Sequence, residues 1–148
     1  MDIDIKLFLN ADGQTYGPRL GPNGDFIGTQ GLDSSVYTSL LTDSRASNSE
    51  VSKEEYRGGW IGNLVNEDGF ELGSLLWLTE QKRRTSQALS QAIDITEKAL
   101  SWYVDNSLLK EIEVTGSLTT TGALLEIILT TLSGDIDTVY VPLWKETV

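Results

Sequence analysis

Few residues in this chain of 148 could do chemistry. It contains no histidine and no cysteine. That removes the thiol nucleophile, the thiolate and imidazole ligands of zinc, the Ser-His-Asp arrangement and the commonest general base. Carboxylates remain. Asp43, Glu50, Glu54 and Glu55 fall in a polar stretch and invite a calcium loop or the acid pair of a histidine-free, lysozyme-like glycosidase. The Asp-x-Asp-x-Asp-Gly spacing of a calcium loop is absent, and no two acids have a sequence context that would raise one pKa. They read as solvated loop acids. Gly13, Gly17, Gly21, Gly24, Gly28 and Gly31, interleaved with Pro18 and Pro22, fit neither the dinucleotide fingerprint nor a P-loop. The expectation is no enzyme: no catalytic residue, no cofactor, no metal.

Binding is the chemistry left. Arg57-Gly58-Gly59-Trp60-Ile61-Gly62-Asn63 sets a rigid fork donor and a large amphipathic ring beside backbone that can approach closely. Trp60 reads first as a plug over the core, and otherwise as an exposed anchor for a partner. A net charge of −11 repels nucleic acid and anionic membrane and favours basic protein partners. No apolar run approaches the roughly 20 residues of a membrane span, and Met1-Asp2-Ile3-Asp4 has no basic region of the signal-peptide kind. The basic cluster Lys82-Arg83-Arg84 reads as the end of a short helix, Gly73–Gln81, or as a contact with an acidic partner.

The element that must position these residues is a helix from about Ser86 to Asp105, capped by Thr85 or Ser86. At about 100° per residue, Leu89, Ala92, Ile93, Thr96, Ala99, Leu100, Tyr103 and Val104 share one face. Ala88, Ile95 and Trp102 form a second stripe, so the apolar arc is wider than one packed face needs and the helix should be covered on two sides. The second cover is a neighbouring helix of the same chain or a partner protein. Residues 3–9 alternate as a strand, and residues 12–31 are glycine-rich and irregular. Asp33 or Ser34 caps a short helix carrying Val36, Tyr37, Leu40 and Leu41; Asn63–Glu67 and Phe70–Leu72 suggest a hairpin around Asp68-Gly69. Leu109–Val114, Leu124–Leu132 and Ile136–Trp144 read as strands, the second central because it is apolar on both faces. The third is an edge, because Pro142 lacks an N–H. The fold class is therefore α+β: a small mixed or antiparallel β-sheet packed on one long helix, with one or two short helices and an irregular N-terminal segment. Residues 1–148 form a single domain, with 1–31 as an arm and 32–148 as the core.

Four segments in series carry a resemblance. Thr42-Asp43-Ser44-Arg45-Ala46, Arg57–Asn63, Gly73-Ser74-Leu75-Leu76-Trp77-Leu78 and Glu97-Lys98-Ala99-Leu100-Ser101-Trp102 resemble, in order and spacing, the baseplate protein family of Mu-like contractile-tailed bacteriophages. That family is similar in fold to the myophage sheath initiator. Two departures stand out. The family's Trp-Trp-Gly-Asp is Trp60-Ile61-Gly62-Asn63 here. The Glu-Pro-Arg that sheath-initiator relatives carry at the end of the long helix is replaced by Trp102-Tyr103-Val104-Asp105-Asn106. The resemblance implies a structural subunit of the baseplate wedge, in the virion tail and assembled in the host cytoplasm. Its partners would be wedge scaffold proteins, tail sheath subunits and the central hub, spike or tail tube, with no nucleic acid and no membrane. It implies a wedge contact through Arg45, Arg57, Trp60, Trp77, Ile95, Trp102 and Tyr103. It also implies sheath nucleation by β-strand addition to an edge marked by Val139, Val141 and Leu143. The rival reading to the glycosidase and the baseplate is an adaptor domain unrelated to phage.

Overall fold

The computed structural model describes residues 4–12, 15–29, 31–51, 57–65, 72–79 and 85–144. In chain order the elements are β1 (Asp4–Ile5), β2 (Phe8–Leu9), β3 (Tyr16–Gly17), β4 (Gly28–Thr29), α1 (Asp33–Leu41), α2 (Gly62–Val65), a 3-10 turn (Leu76–Thr79), α3 (Ser86–Asp105), β5 (Glu111–Leu118), β6 (Ala123–Thr130) and β7 (Ile136–Leu143). The class is α+β. Strands β5-β6-β7 form an antiparallel sheet packed on α3, while β1 pairs with β4 and β2 with β3 in two small antiparallel ribbons.

Helix α3 spans the predicted residues. The Thr85 hydroxyl accepts from the Ala88 N–H at 3.1 Å and so satisfies one of the first-turn donors. Ala92, Thr96, Leu100 and Tyr103 are buried along one face, and the Thr96 hydroxyl donates to the Ala92 carbonyl at 2.8 Å, which lets a polar side chain sit in the core. The wide apolar arc is covered from two directions, by β5 on one side and by α1 and the 3-10 turn on the other. Gly116 permits the close approach of α3 to the sheet. A Cβ there would lie 3.0 Å from Leu89 Cδ1 and 3.1 Å from Leu125 Cδ2.

The sheet's register fixes which groups point where. Ala123, Leu125, Ile127 and Leu129 of β6 are buried beneath the helices with Val114 of β5 and Val139, Val141 and Leu143 of β7. The opposite face carries Leu124, Glu126 and Ile128 on β6 and Ile136, Thr138, Tyr140 and Pro142 on β7. The Thr130 carbonyl accepts from Lys110 N–H on the β5 side, and Thr131 N–H donates to Asp135 O to close the β6–β7 hairpin. Bonded and non-bonded pairs alternate in an antiparallel ladder. Asp137, Val139, Val141 and Leu143 therefore bond to β6, while Ile136, Thr138, Tyr140 and Pro142 turn their main-chain groups outward. Proline sits at a position where no ladder donor is lost, as its chemistry requires.

Several expectations need correction. The predicted strand over residues 3–9 is broken in two, with Ile3 outside the described residues. The Ser34 hydroxyl donates to Ile5 O at 2.7 Å and accepts from Leu7 N–H at 3.1 Å, turning the chain between β1 and β2. Ser34 thus works as a clamp on the arm, and neither it nor Asp33 caps α1: the helix begins after Leu32 with no side-chain cap. Leu41, grouped with the apolar side of that helix, is exposed. The described part of residues 12–31 is less irregular than expected, because β3 and β4 pair back onto β2 and β1 and a Leu20–Phe26 bridge closes the segment between them. The expected hairpin strand from Asn63 is a helical turn in α2; residues 66–71 lie outside the described residues. Asn63 instead pairs its carboxamide with the backbone of Leu72, accepting from Leu72 N–H at 2.9 Å and donating to Leu72 O at 2.8 Å. Of the helix expected over Gly73–Gln81, the described residues form only the 3-10 turn Leu76–Thr79, and residues 80–81 lie outside them. Gly73 takes a φ of 121°, and Ser74 bridges to Asp43 and donates from its hydroxyl to Leu40 O at 2.5 Å, so the helix cannot begin before Leu76. Lys82-Arg83-Arg84 lies outside the described residues.

Candidate functional site

The residues singled out for binding divide between a groove, an apolar knob and a sheet edge. The groove, of about 750 Å³, runs between the Ser44–Ser47 segment and the C-terminal half of α3. Arg45, Arg57, Ile95 and Trp102 line it together, although Arg45 and Trp102 stand far apart in sequence. Backbone bonds hold this arrangement: Ala46 N–H to Arg57 O at 2.7 Å, Ser44 N–H to Ser74 O at 2.9 Å and Ser74 N–H to Thr42 O at 2.9 Å. Trp77 serves as a strut. It is partly buried, its indole N–H donates to Ser44 O at 2.9 Å, and a Cβ on Gly58 would come within 2.8 Å of its ring. The φ of 67° at Gly58 also favours glycine at this point.

Trp102 stacks on Tyr103, with ring centroids 3.9 Å apart and an interplanar angle of 23°. Tyr103 itself is a correction. It is 2% exposed, and its hydroxyl hydrogen-bonds Ser35 Oγ of α1, so it ties two helices together inside the core instead of lying on the surface. Burial and the Ser35 contact push in opposite senses on its phenol, and burial, which raises its pKa, is the larger.

Trp60 is 46% exposed, which overturns its reading as a core plug. Its ring folds over Gly62, where a Cβ would fall within 2.1 Å of it. Ile61, Leu64 and Val65 follow at 76, 82 and 76% exposure, forming an apolar knob that the sequence reading missed. Its signal was present in the run Trp60-Ile61-x-x-Leu64-Val65, which has the spacing of one helical turn.

At the sheet edge the predicted markers are placed differently from expectation. Val139, Val141 and Leu143 point their side chains into the core and bond their main chain to β6. They mark the strand, and their side chains lie on its buried face. The outward N–H and C=O groups belong to Ile136, Thr138 and Tyr140, which sequence reasoning passed over; the position of Pro142 would have identified them by period-two counting. Beside this edge runs a groove of about 670 Å³, walled on its far side by Leu7, Phe8, Tyr16 and Tyr37 of the arm and α1. Tyr16 and Tyr37 stack with centroids 4.3 Å apart. Burial pushes the Tyr16 phenol up to about 12, with Tyr37 adding to the shift, and burial likewise raises Tyr37, reinforced by Asp33 and Asp137.

Among the acids weighed for catalysis, Glu54 and Glu55 lie outside the described residues. Burial raises the Asp43 carboxyl, whereas hydrogen bonds from Ser47 N–H and its hydroxyl hold Glu50 below the usual carboxylate range. Glu50 lines the groove and Asp43 does not, so the two do not face each other across one cleft. Among the described residues no group of three or more Asp or Glu side chains could hold a metal ion.

Residues 32–135 match a family described as Phage protein GP46. The chain is similar to the Mu-like prophage FluMu protein gp46 of Haemophilus influenzae, with 33% identity over 101 residues, 68% of this chain and 68% of that protein. It is also similar to the baseplate protein gp46 of Escherichia phage Mu, with 32% identity over 80 residues. That match covers 53% of this chain and 54% of the phage Mu protein, so the chain spans about half of that relative's length.

Proposed function

The chain belongs to the Phage protein GP46 family, and on that premise we propose that it links the baseplate wedge to the first sheath ring and templates sheath assembly. Its place is the tail baseplate of a phage virion, and its role there is structural. In the finer reading, the tail is contractile and the outward edge of β7 accepts a strand from a sheath subunit. The single observation that carries this is the row of outward main-chain donors and acceptors on Ile136, Thr138 and Tyr140, the last two beside the 670 Å³ groove. Main-chain pairing supplies affinity without charged contacts, and alternate side-chain positions supply selectivity.

The two edges of the sheet differ in their guards. β5 carries Glu111 and Glu113, exposed carboxylates of the kind that discourage edge pairing. β7 has Asp137 near its start and Pro142 near its end, with Thr138, Val139, Tyr140 and Val141 between them. The wedge contact falls to Arg45, Arg57, Ile95 and Trp102 in the other groove, with Trp60 beside them and Trp77 bracing them from behind. Apolar contact through Trp102 takes the place of the charge pair that the resemblance would put at the end of the long helix.

The test is reconstitution. Purified chain is mixed with the tail sheath subunit of the same phage and followed by sedimentation and electron microscopy. Short sheath rings seeded at sub-stoichiometric amounts of the chain are expected. Sheath polymerisation that neither binds the chain nor changes its lag overturns the templating role.

A further inference from the structure

We propose that the groove between the Ser44–Ser47 segment and α3 takes an acidic, partly apolar segment of a baseplate neighbour. Its carboxylates would meet Arg45, Arg57 and Lys98, and its apolar side chains Leu75, Ile95 and Trp102. This deepens the wedge contact above and rests on that reading.

Charge is the first argument. The chain carries −11 overall, yet the described lining of this groove holds three cations and one carboxylate. That carboxylate, Glu50, accepts from Ser47 N–H at 2.6 Å and from its hydroxyl at 3.0 Å, stays ionised and draws on Lys98, so the lining is positive by two charges and Arg45 and Arg57 carry most of the attraction. Arg45 and Lys98 are exposed and Arg57 partly so. A positive concavity in an acidic molecule draws an acidic segment to one place and repels it elsewhere. Guanidinium groups grip carboxylates in a fork, which gives orientation as well as attraction. The same net charge opposes nucleic acid, whose phosphates would meet repulsion over most of the surface.

Shape is the second. Leu75, Ile95, Ala99 and Trp102 give the groove an apolar floor, with the cations around it. The walls are fixed in advance by the backbone bonds at Ser44 and Ala46 and by the Trp77 strut, so little ordering is left to do on binding. The knob begins beside the groove's Arg45 end, outside its lining. A Cβ on Gly59 would lie 3.3 Å from Arg45 Cβ, which puts Trp60 and Ile61 next to the Arg45 end. A segment leaving the groove there meets apolar surface.

The experiment places a benzophenone amino acid at Ser101, an exposed lining residue, and a second one at Tyr140 in a separate sample. Each chain is assembled into baseplates with sheath, irradiated and analysed by mass spectrometry. The expected product from Ser101 is a crosslink to a net-acidic segment of a neighbouring baseplate protein. A double variant, Arg45→Glu with Lys98→Glu, folds normally but enters baseplates about tenfold less well, whereas Lys110→Glu, a charge reversal at an exposed lysine outside the groove, enters normally. A crosslink from Ser101 to a neutral or basic segment, to nucleic acid or only within the chain overturns the proposal, as does none at all. Capture of sheath from Tyr140 in those cases leaves the templating role standing; failure of both probes removes that as well.

Discussion

Proline substitutions along β7 separate the two roles of its backbone. The N–H of Thr138 and Tyr140 faces away from β6, as does the position of Pro142, whereas the N–H of Val139 donates to β6. Thr138→Pro should therefore lower folding stability by less than about 1 kcal/mol, since a solvent-facing donor is removed. Val139→Pro breaks a ladder bond and strands a buried Ile127 carbonyl, at about 1–3 kcal/mol, besides disturbing a side chain 2% exposed. Its total loss should exceed about 3 kcal/mol. For strand addition the order reverses. Each main-chain bond to an incoming strand contributes about 0.5–1.5 kcal/mol net, so Thr138→Pro with Tyr140→Pro forfeits about 1–3 kcal/mol. Affinity for the sheath subunit should then fall roughly 5- to 150-fold. Thermal melting by circular dichroism reads the first quantity and biolayer interferometry the second, with Tyr140→Ala controlling for the lost ring. Equal destabilisation by Thr138→Pro and Val139→Pro would falsify the derived ladder parity. A folded double variant that binds sheath as well as the parent chain would show that this edge is not the template.

Gly116→Val should overpack the contact with Leu89, Ile93 and Leu125 and destabilise the fold by about 1–3 kcal/mol, seen as a lower Tm. Ile61→Asp with Leu64→Asp changes two highly exposed positions, so stability should move by no more than about 0.5 kcal/mol each while incorporation into baseplates drops; unchanged incorporation would show that the knob is idle. The Tyr16 phenol holds its proton up to about pH 12 in the folded chain and to about 10 when unfolded. Its contribution is therefore fully present below pH 10 and is lost as the pH rises from 10 to 12, and Tyr37 acts in the same sense. Tyr16→Phe should flatten the alkaline fall in stability, checked by denaturant melts across that range; an unchanged slope would place the transition elsewhere.

Legibility from sequence followed the length of the pattern. Helix α3 was readable because twenty residues repeat the helical period and Thr85 announces the start. The centrality of β6 and the edge position of β7 followed from two-faced apolarity and from Pro142. The arm was misread because a hydroxyl from a residue far along the chain, Ser34, decides where the first strand breaks. The 3-10 turn was overextended because Gly73 and Ser74 look permissive locally, while their conformation is set by Thr42, Asp43 and Leu40. Of the groove residues, Arg57 was marked by the glycines beside it, Ile95 and Trp102 by the second apolar stripe of α3, and Arg45 by the family resemblance. The helical wheel put Tyr103 on the core face, where it lies; the partner contact given to it came from the resemblance alone, at the place of the Glu-Pro-Arg. Lys98 and Leu75 went unnamed because nothing in their own segments places them opposite Arg45.

An antiparallel edge looks the same to an incoming ribbon after a shift of two residues, so hydrogen bonds alone do not forbid sliding. Pro142 breaks that translational symmetry on β7. One rung of the ladder offers a carbonyl and no donor, so a ribbon that has slid toward the C-terminal end meets a gap where its own acceptor expects a proton. A three-rung ladder with one defined end has a single best phase, and under the proposed templating a sheath begun upon it would inherit that phase through each later ring.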